Sequence, residues 1–331
     1  MKMLIRKSTL LNGTYLFLAS GYAYFFASID RILNVNFVDI LDRTNYVYYA
    51  EAPGDIFDFY LNKSILTALF NEPIFVLINW VAGNFLADPE LIVRMLIFFS
   101  ALSATYLALK NSKNIFYCFV ILSLPLIFGN YVFSIRQGVA LSFFLAGWFS
   151  KNRLLRVLLM AIAPFVHISF LIPIIFILVE KMIKKFDLLI YLNLLIFAFI
   201  CFLVILVAPY AGEYLGVRQT EGYYYGVGDV ESASGLGFVF WVVIFASFVG
   251  QGRDFLSRNV FAVYCIIFYL ISYILFPPFA RTVQNHALII LMSGFYLSGI
   301  CRMIFNCSVG LFFLYVIFGA LEKGFLHSFL V

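Results

Sequence analysis

The run Leu188-Leu189-Ile190-Tyr191-Leu192-Asn193-Leu194-Leu195-Ile196-Phe197-Ala198-Phe199-Ile200-Cys201-Phe202-Leu203-Val204-Ile205-Leu206-Val207-Ala208 decides the fold class. It carries no charge and a single amide, and roughly 20 such residues are what a helix needs to cross a bilayer. Lys181, Lys184 and Lys185 stand just before it, so a basic gap abuts an apolar span. The same alternation extends in both directions. Stretches 10–29, 91–109, 115–133, 187–208, 259–276, 283–300 and 304–320 read as spans, and 137–150, 154–166, 168–180 and 235–250 as shorter ones. Composition agrees: of 331 residues, 64% are apolar and 12% charged, with a mean hydropathy of +1.00. A soluble domain is nearer 45–50% apolar and about 25% charged. There are too few charges to coat a water-facing surface, which excludes a soluble enzyme, a disordered chain and a coiled coil. The expectation is an all-α polytopic integral membrane protein, with 1–331 forming a single transmembrane domain.

Charge sets the topology. The short gaps 110–114, 151–156, 181–185 and 253–258 are basic, and lysine and arginine in short loops mark the cytoplasmic side. The long gaps 30–72 and 209–234 are acidic and are expected to face out. Two consequences follow. The run between 151–156 and 181–185 must cross and return, turning at His167 between Pro164 and Pro173, where prolines make helix breaks tolerable. Segment 73–87 is then a re-entrant or interfacial helix within a first extracytoplasmic loop over 30–90, and 209–234 is a second large outer loop. This arrangement puts 14 of the 22 basic and 3 of the 17 acidic residues inside, leaving +11 inside and −6 outside. It predicts about eleven crossings, with the N-terminus in and the C-terminus out. The first 29 residues carry Lys2, Arg6 and Lys7 before a run too long for a signal-peptide core, and read as an uncleaved first helix. The five cysteines form no CxxC pair, so neither a disulfide framework nor a metal site is signalled.

Several outer-side residues are left over. Arg136 lies in Ser134-Ile135-Arg136-Gln137-Gly138, between two apolar runs, and Arg281 ends Phe276-Pro277-Pro278-Phe279-Ala280-Arg281 at another helix junction. An ionisable group at membrane depth costs about 2.5–3.5 kcal/mol on insertion scales and is usually kept for a substrate or partner. The plainer alternative is a snorkelling arginine. It fits one isolated arginine better than two, each beside helix breakers and both outside. His167 sits at the proposed outer turn. Its plainer alternative is a core histidine bonded to a carbonyl freed by the nearby prolines. The loop 30–72 interleaves Asp39, Asp42, Glu51, Asp55, Asp58 and Glu72 with Tyr46, Tyr48, Tyr49 and Tyr60. The loop 209–234 repeats the chemistry and adds Arg218 and Tyr223. Aromatic faces and carboxylates together suit sugars, against the alternative of an interfacial tyrosine belt with solvated acids. There is no Walker-type loop, HExxH or GxSxG. The polar chemistry lies outside, where nucleotides are scarce, so a lipid-linked sugar donor fits better than a nucleotide sugar.

Ser134-Ile135-Arg136-Gln137-Gly138-Val139-Ala140, followed by Ala161-Ile162-Ala163-Pro164-Phe165-Val166-His167-Ile168-Ser169, resembles the EpsG-like branch of Wzy-type polysaccharide polymerases. That branch carries an S-x-R-Q-x-x-A helix start and an A-x-x-x-H-x-S turn. Asp42-Arg43-Thr44-Asn45-Tyr46 and Glu72-Pro73-Ile74-Phe75 are similar to its D-x-x-x-Y and E-P-x-F elements, and Phe279-Ala280-Arg281 to its late arginine. The likeness covers about 42–281. Where a tyrosine often follows the late arginine, this chain has Asn285 and His286 nearby.

The resemblance implies a multi-pass glycosyltransferase of the bacterial inner membrane, with a GT-C-like architecture and an active site facing the periplasm. It would join oligosaccharide repeat units carried on undecaprenyl diphosphate, moving the growing chain to the terminal hydroxyl of the incoming unit. O-antigen, capsule and exopolysaccharide all remain open as products. Partners would be the lipid-linked glycan, membrane lipid and a chain-length regulator, with no nucleic acid, cofactor or metal. Arg136 and Arg281 would stabilise the departing diphosphate, since arginine is always charged and binds phosphate through two prongs. His167 would be the general base, with Asp42 or Glu72 as the alternative. Gln137, Asp42, Tyr46, Glu72, Arg218 and Tyr223 would bind substrate. Two other classes stay open, a lipid-linked oligosaccharide flippase or other transporter and an O-antigen ligase. A transporter should show deep charges at matched positions of two halves, whereas here they cluster at outer helix ends.

Overall fold

The computed structural model describes residues 2–186, 188–214 and 235–322. Among them the chain is helical and contains no strand. Helices α1 (Lys2–Ala27) and α2 (Ile29–Leu33) lead into four short helices, α3 (Arg43–Glu51), α4 (Pro53–Lys63), α5 (Ile65–Phe70) and α6 (Pro73–Gly83). The first three of these fill what the sequence presents as a polar loop over 30–72, and α6 is the helix expected within 73–87. Then come α7 (Pro89–Asn111), α8 (Ile115–Leu122), α9 (Pro125–Val132), α10 (Ile135–Trp148), α11 (Arg153–Val166), α12 (Leu171–Ile183) and α13 (Ile190–Tyr214). The last group is α14 (Leu236–Gly250), α15 (Arg253–Arg258), α16 (Val260–Leu275), α17 (Pro277–Gln284), α18 (Ala287–Ser293) and α19 (Gly299–Glu322).

Helix starts are written locally. Proline occupies the first turn of α4, α6, α7, α9 and α17, where its missing N–H costs nothing. Asp88 caps α7, Asn114 caps α8 and Asn152 caps α11, each side chain accepting a backbone N–H.

Three helices are long and apolar enough to cross a membrane: α7, α13 over Ile190–Val207, and α19 over Gly299–Gly319. The expected single span at 115–133 is instead α8 and α9, bent by 63° between them. The break precedes Pro125, which has no N–H to continue the ladder; counted as one broken span it makes a fourth. The expected span 283–300 is likewise divided, into the end of α17, α18 and a 3₁₀ turn at Gly294–Tyr296. Segment 73–83 is an 11-residue helix, about 16 Å long at 1.5 Å per residue, too short to span alone. The helix breaks at His167, where α11 ends and a 3₁₀ turn leads into α12.

Two helices organise the packing. Helix α10 is wedged among α7, α9 and α11, while α1 lies along α7. Helix α16 is surrounded by α12, α13, α14, α17 and α18. Its residues Val260 to Tyr269 are all buried, as expected for a helix apolar on every side. Polar ties stitch these groups together: Tyr22 Oη donates to the Leu122 carbonyl at 2.8 Å, and Tyr264 Oη donates to Asn193 Oδ1. Arg94 on α7 grips Asp30 of α2 through two bonds of 2.7 and 2.6 Å. Arg94 and Arg43 lie on the ring of Phe37, their guanidinium carbons 4.4 and 4.7 Å from its centre.

Candidate active site

Three helix ends converge, each bringing one charged or titratable side chain. Glu72 precedes α6, Arg136 is the second residue of α10, and His167 caps the C-terminus of α11. Helix α6 packs on α3, α7 and α11, and α10 packs on α11, which brings the ends together. The Glu72 carboxylate is the hub. Its Oε2 accepts from the Arg136 guanidinium and its Oε1 meets His167 Nδ1. Only 2% of the Glu72 side chain is exposed. Burial works against its charge, but the Arg136 guanidinium and the His167 imidazole hold the carboxyl down at about 2, from 4.5.

The backbone is bent to present this carboxylate. Glu72 has φ +63° and ψ +47°, the left-handed region, which costs a non-glycine residue of order 1–3 kcal/mol. The next residue, Pro73, begins α6, and the Glu72 carbonyl accepts the N–H groups of Phe75 and Val76. Arg136 is held from the other side. Its guanidinium carbon lies 5.7 Å from the ring centre of Tyr46 and 5.6 Å from that of Tyr49. Both tyrosines meet Phe75 edge-on. Two residues after Arg136, a Cβ on Gly138 would stand 2.5 Å from the Asn130 carbonyl oxygen. Glycine is therefore what lets α10 start so close to α9.

His167 is fixed at both ends of its turn. Its N–H donates to the Ala163 carbonyl at 3.0 Å and its own carbonyl accepts from Phe170 N–H at 3.0 Å. Two residues on, Ser169 Oγ accepts from Asn285 Nδ2 at 2.8 Å, which ties the turn to the α17–α18 junction. The neighbouring His286 is buried among Phe144, Phe170 and Phe261, with neither ring nitrogen partnered among the described residues.

A glutamate on Nδ1 fixes which imidazole nitrogen carries the proton. With Nδ1–H donating to Glu72, Nε2 is left as a lone-pair base. Beside it is a permanent cation with donor groups beyond those spent on Glu72 and Tyr46. The arrangement can therefore take a proton at one point and stabilise negative charge at a neighbouring one.

The other sequence candidates fall elsewhere. Tyr46 lies under Arg136, and Gln137 is half-buried on α10. Asp42 is exposed at the start of α3, where its Oδ1 accepts from Asn45 Nδ2 at 3.4 Å. Arg281 is exposed on α17, and no hydrogen bond or ion pair joins it to Glu72, Arg136 or His167 among the described residues. Arg218 and Tyr223 lie outside the described residues, as does most of the 209–234 loop. Sequence reasoning missed Tyr49 as a support for Arg136; it follows Tyr46 by three residues on a helix, which puts both on one face. That reasoning named Glu72 as a substrate residue or alternative base, and gave no sign that its carboxylate stands between arginine and histidine.

A model of the EpsG family matches residues 14–323. The chain belongs to the EpsG family. Neither a curated protein nor a solved structure matches it. The EpsG family is associated with Wzy-type polymerases, and the apolar helices agree with a membrane-embedded member. In this EpsG-family chain the S-x-R-Q and H-x-S elements meet in space, and the E-P element supplies the carboxylate between them.

Proposed function

We propose that this protein is a polysaccharide polymerase that joins undecaprenyl-diphosphate-linked repeat units at the outer face of the bacterial inner membrane. Family membership supports the polymerase class. The observation that carries the mechanism is the single buried carboxylate shared by Arg136 and His167. His167 Nε2 takes the proton of the acceptor sugar's hydroxyl. The oxygen attacks the anomeric carbon of the growing chain, whose bond to the carrier diphosphate breaks. The bonding pair leaves with the diphosphate, and the free donors of Arg136 face its charge. Glu72 holds the Nδ1 proton and balances the imidazolium as it forms. Arg136 faces the diphosphate from the cluster, and Arg281, exposed on α17 whose C-cap Asn285 is tied to Ser169 beside the His167 turn, is the second cation for it in this reading.

Eleven crossings and a GT-C-like arrangement belong to the same proposal. The basic short gaps support an inward-facing side opposite the α3–α6 segment, with the cluster facing out. The test is polymerisation by purified protein in liposomes supplied with the native lipid-linked unit. A ladder of lengthening glycans that disappears in His167→Gln is expected. Transfer of labelled units across the bilayer with no ladder would make the protein a transporter and refute the reading. In cells, deletion should leave surface glycan capped at single units, whereas complete loss of glycan indicates a ligase or flippase.

A further inference from the structure

Tyr49 has two sides. One faces the Arg136 guanidinium; the other lines a cavity of about 650 Å³ between α3 and α4. One face of α3 supplies Asn45, Tyr48 and Tyr49, spaced as helical neighbours, and one face of α4 supplies Asp55, Phe59 and Lys63, each four residues from the next. The volume falls within the roughly 300–1,000 Å³ range of small-molecule sites. Two aromatic rings are unusually open for such a place: Tyr48 is 51% and Phe59 57% exposed. Lys63 Nζ lies 4.7 Å from the centre of the Phe59 ring. The polar groups are one carboxylate, one ammonium, one amide and the hydroxyls of three tyrosines, so the single positive and single negative charge favour neither anions nor cations. The cleft offers ring faces bordered by hydrogen-bonding groups of both kinds.

We propose that this α3–α4 cleft is a glycan subsite. It takes a pyranose ring of the sugar chain next to the reacting centre, stacked on Tyr48 or Phe59 and hydrogen-bonded by Asp55 and Asn45. This rests on the polymerase reading for its location in the reaction, although sugar binding itself can be measured separately. An interfacial tyrosine belt would not need the concavity, the polar border or the wall shared with the Arg136 support.

The probe is the host strain's own repeat-unit oligosaccharide, freed from its lipid carrier by mild acid. Binding to full-length protein in nanodiscs is read by saturation-transfer NMR. Tyr48→Ala and Phe59→Ala should each weaken binding on the order of tenfold, the loss of one stacking face. Tyr48→Phe and Phe59→Tyr, which keep the rings, should restore most of it. Alanine variants that bind like wild type overturn the proposal, as does a wild type that shows no binding. A ladder made by alanine variants at unchanged KM, with probe binding also unchanged, sinks the cleft and leaves the polymerase standing. Ring-dependent probe binding without any wild-type ladder does the reverse. Where a ladder forms, a raised KM for the incoming unit assigns the cleft to the acceptor, and a raised KM for the carrier-linked chain assigns it to the donor; both support the subsite.

Discussion

Replacing Glu72 by glutamine tests the centre of the mechanism, because it changes charge and tautomer while keeping shape. The amide offers one oxygen and one NH₂ where the carboxylate offers two acceptors. Arg136 can only donate, so it claims the oxygen, and the NH₂ is turned towards His167 Nδ1. That nitrogen must then accept, which moves the imidazole proton to Nε2 and removes the base. A carboxylate-to-amide change of this kind behind a catalytic histidine costs about 10⁴ in kcat. We therefore expect Glu72→Gln to slow chain growth about 10³–10⁴-fold, with little change in KM for lipid-linked units. Breaking a buried ion pair costs about 3–5 kcal/mol when one partner is simply removed. Glutamine retains one hydrogen bond, so the thermal midpoint should fall but the fold should persist. Glu72→Asp is the companion variant: it keeps the charge but, one methylene shorter, cannot reach both partners.

The assay is the initial rate of glycan lengthening in liposomes, with a thermal-shift measurement on the same preparations. A double-mutant cycle decides the route. If Glu72 acts through His167, adding Glu72→Gln to His167→Gln should cost little more than His167→Gln alone, since residues working as a unit are strongly non-additive. Two independent losses that multiply would show that Glu72 has its own contact with the reaction. A Glu72→Gln enzyme within about threefold of wild type would refute the dyad outright, because a misprotonated base cannot cost so little.

Arg136→Lys should be about as poor as Arg136→Ala in the same assay, at least 100-fold down, since lysine keeps the charge but not the planar contact with Tyr46 and Tyr49 or the two-pronged grip on phosphate; normal chain length with lysine would reduce Arg136 to a point charge. Gly138→Ala should lower stability by about 1–3 kcal/mol in thermal unfolding, because its Cβ meets the Asn130 carbonyl oxygen at 2.5 Å. Acid should destabilise the protein through Glu72: its folded carboxyl is held at about 2 against an ordinary 4.5, so the stabilisation is present above the ordinary value and lost as pH falls towards 2. Thermal midpoints measured down the acid range should show a smaller decline in Glu72→Gln than in wild type. For topology, Asp55→Cys should be labelled by an impermeant reagent from outside, and Lys113→Cys and Lys184→Cys should not; outside labelling at 113 would mean that the 73–83 helix crosses.

The membrane class and the helix break at His167 were legible in the sequence, because each follows from local chemistry: apolar run length, flanking prolines, basic gaps. The broken span at 123–124 was less so. Pro125 marks it, but prolines are also tolerated inside membrane helices, so one residue could not decide between a kink and a 63° bend. The helices in 30–72 were hidden by charge, since the acids and tyrosines that make the segment read as a loop are arranged on faces of short helices. Arg136, His167 and Glu72 were each found, but no local signal says that they touch. Their meeting depends on α6, α10 and α11 ending at one place, which is a property of packing. Arg281, whose sequence setting matches that of Arg136, is exposed on α17 rather than gathered into the buried cluster.

What separates the cluster from an ordinary structural ion pair is where the molecule has accepted cost. A buried ion pair by itself is weak evidence of stabilisation, since well-packed apolar residues often serve as well or better. Here two further concessions surround it. Glu72 adopts a left-handed backbone that its side chain does not favour, and Gly138 gives up helix propensity in the first turns of α10 so that the helix can start against α9. Both concessions fix the position of charged ends rather than enlarge the apolar core. Strain of this kind persists where the surroundings over-determine it and tends to gather at functional sites. If the three groups served only to hold the fold, a variant in which Glu72, Arg136 and His167 are all replaced by apolar residues of similar volume should be at least as stable as wild type and still lengthen glycan. The catalytic reading expects the first of these and forbids the second, so stability and chain growth measured on that one variant separate the two explanations.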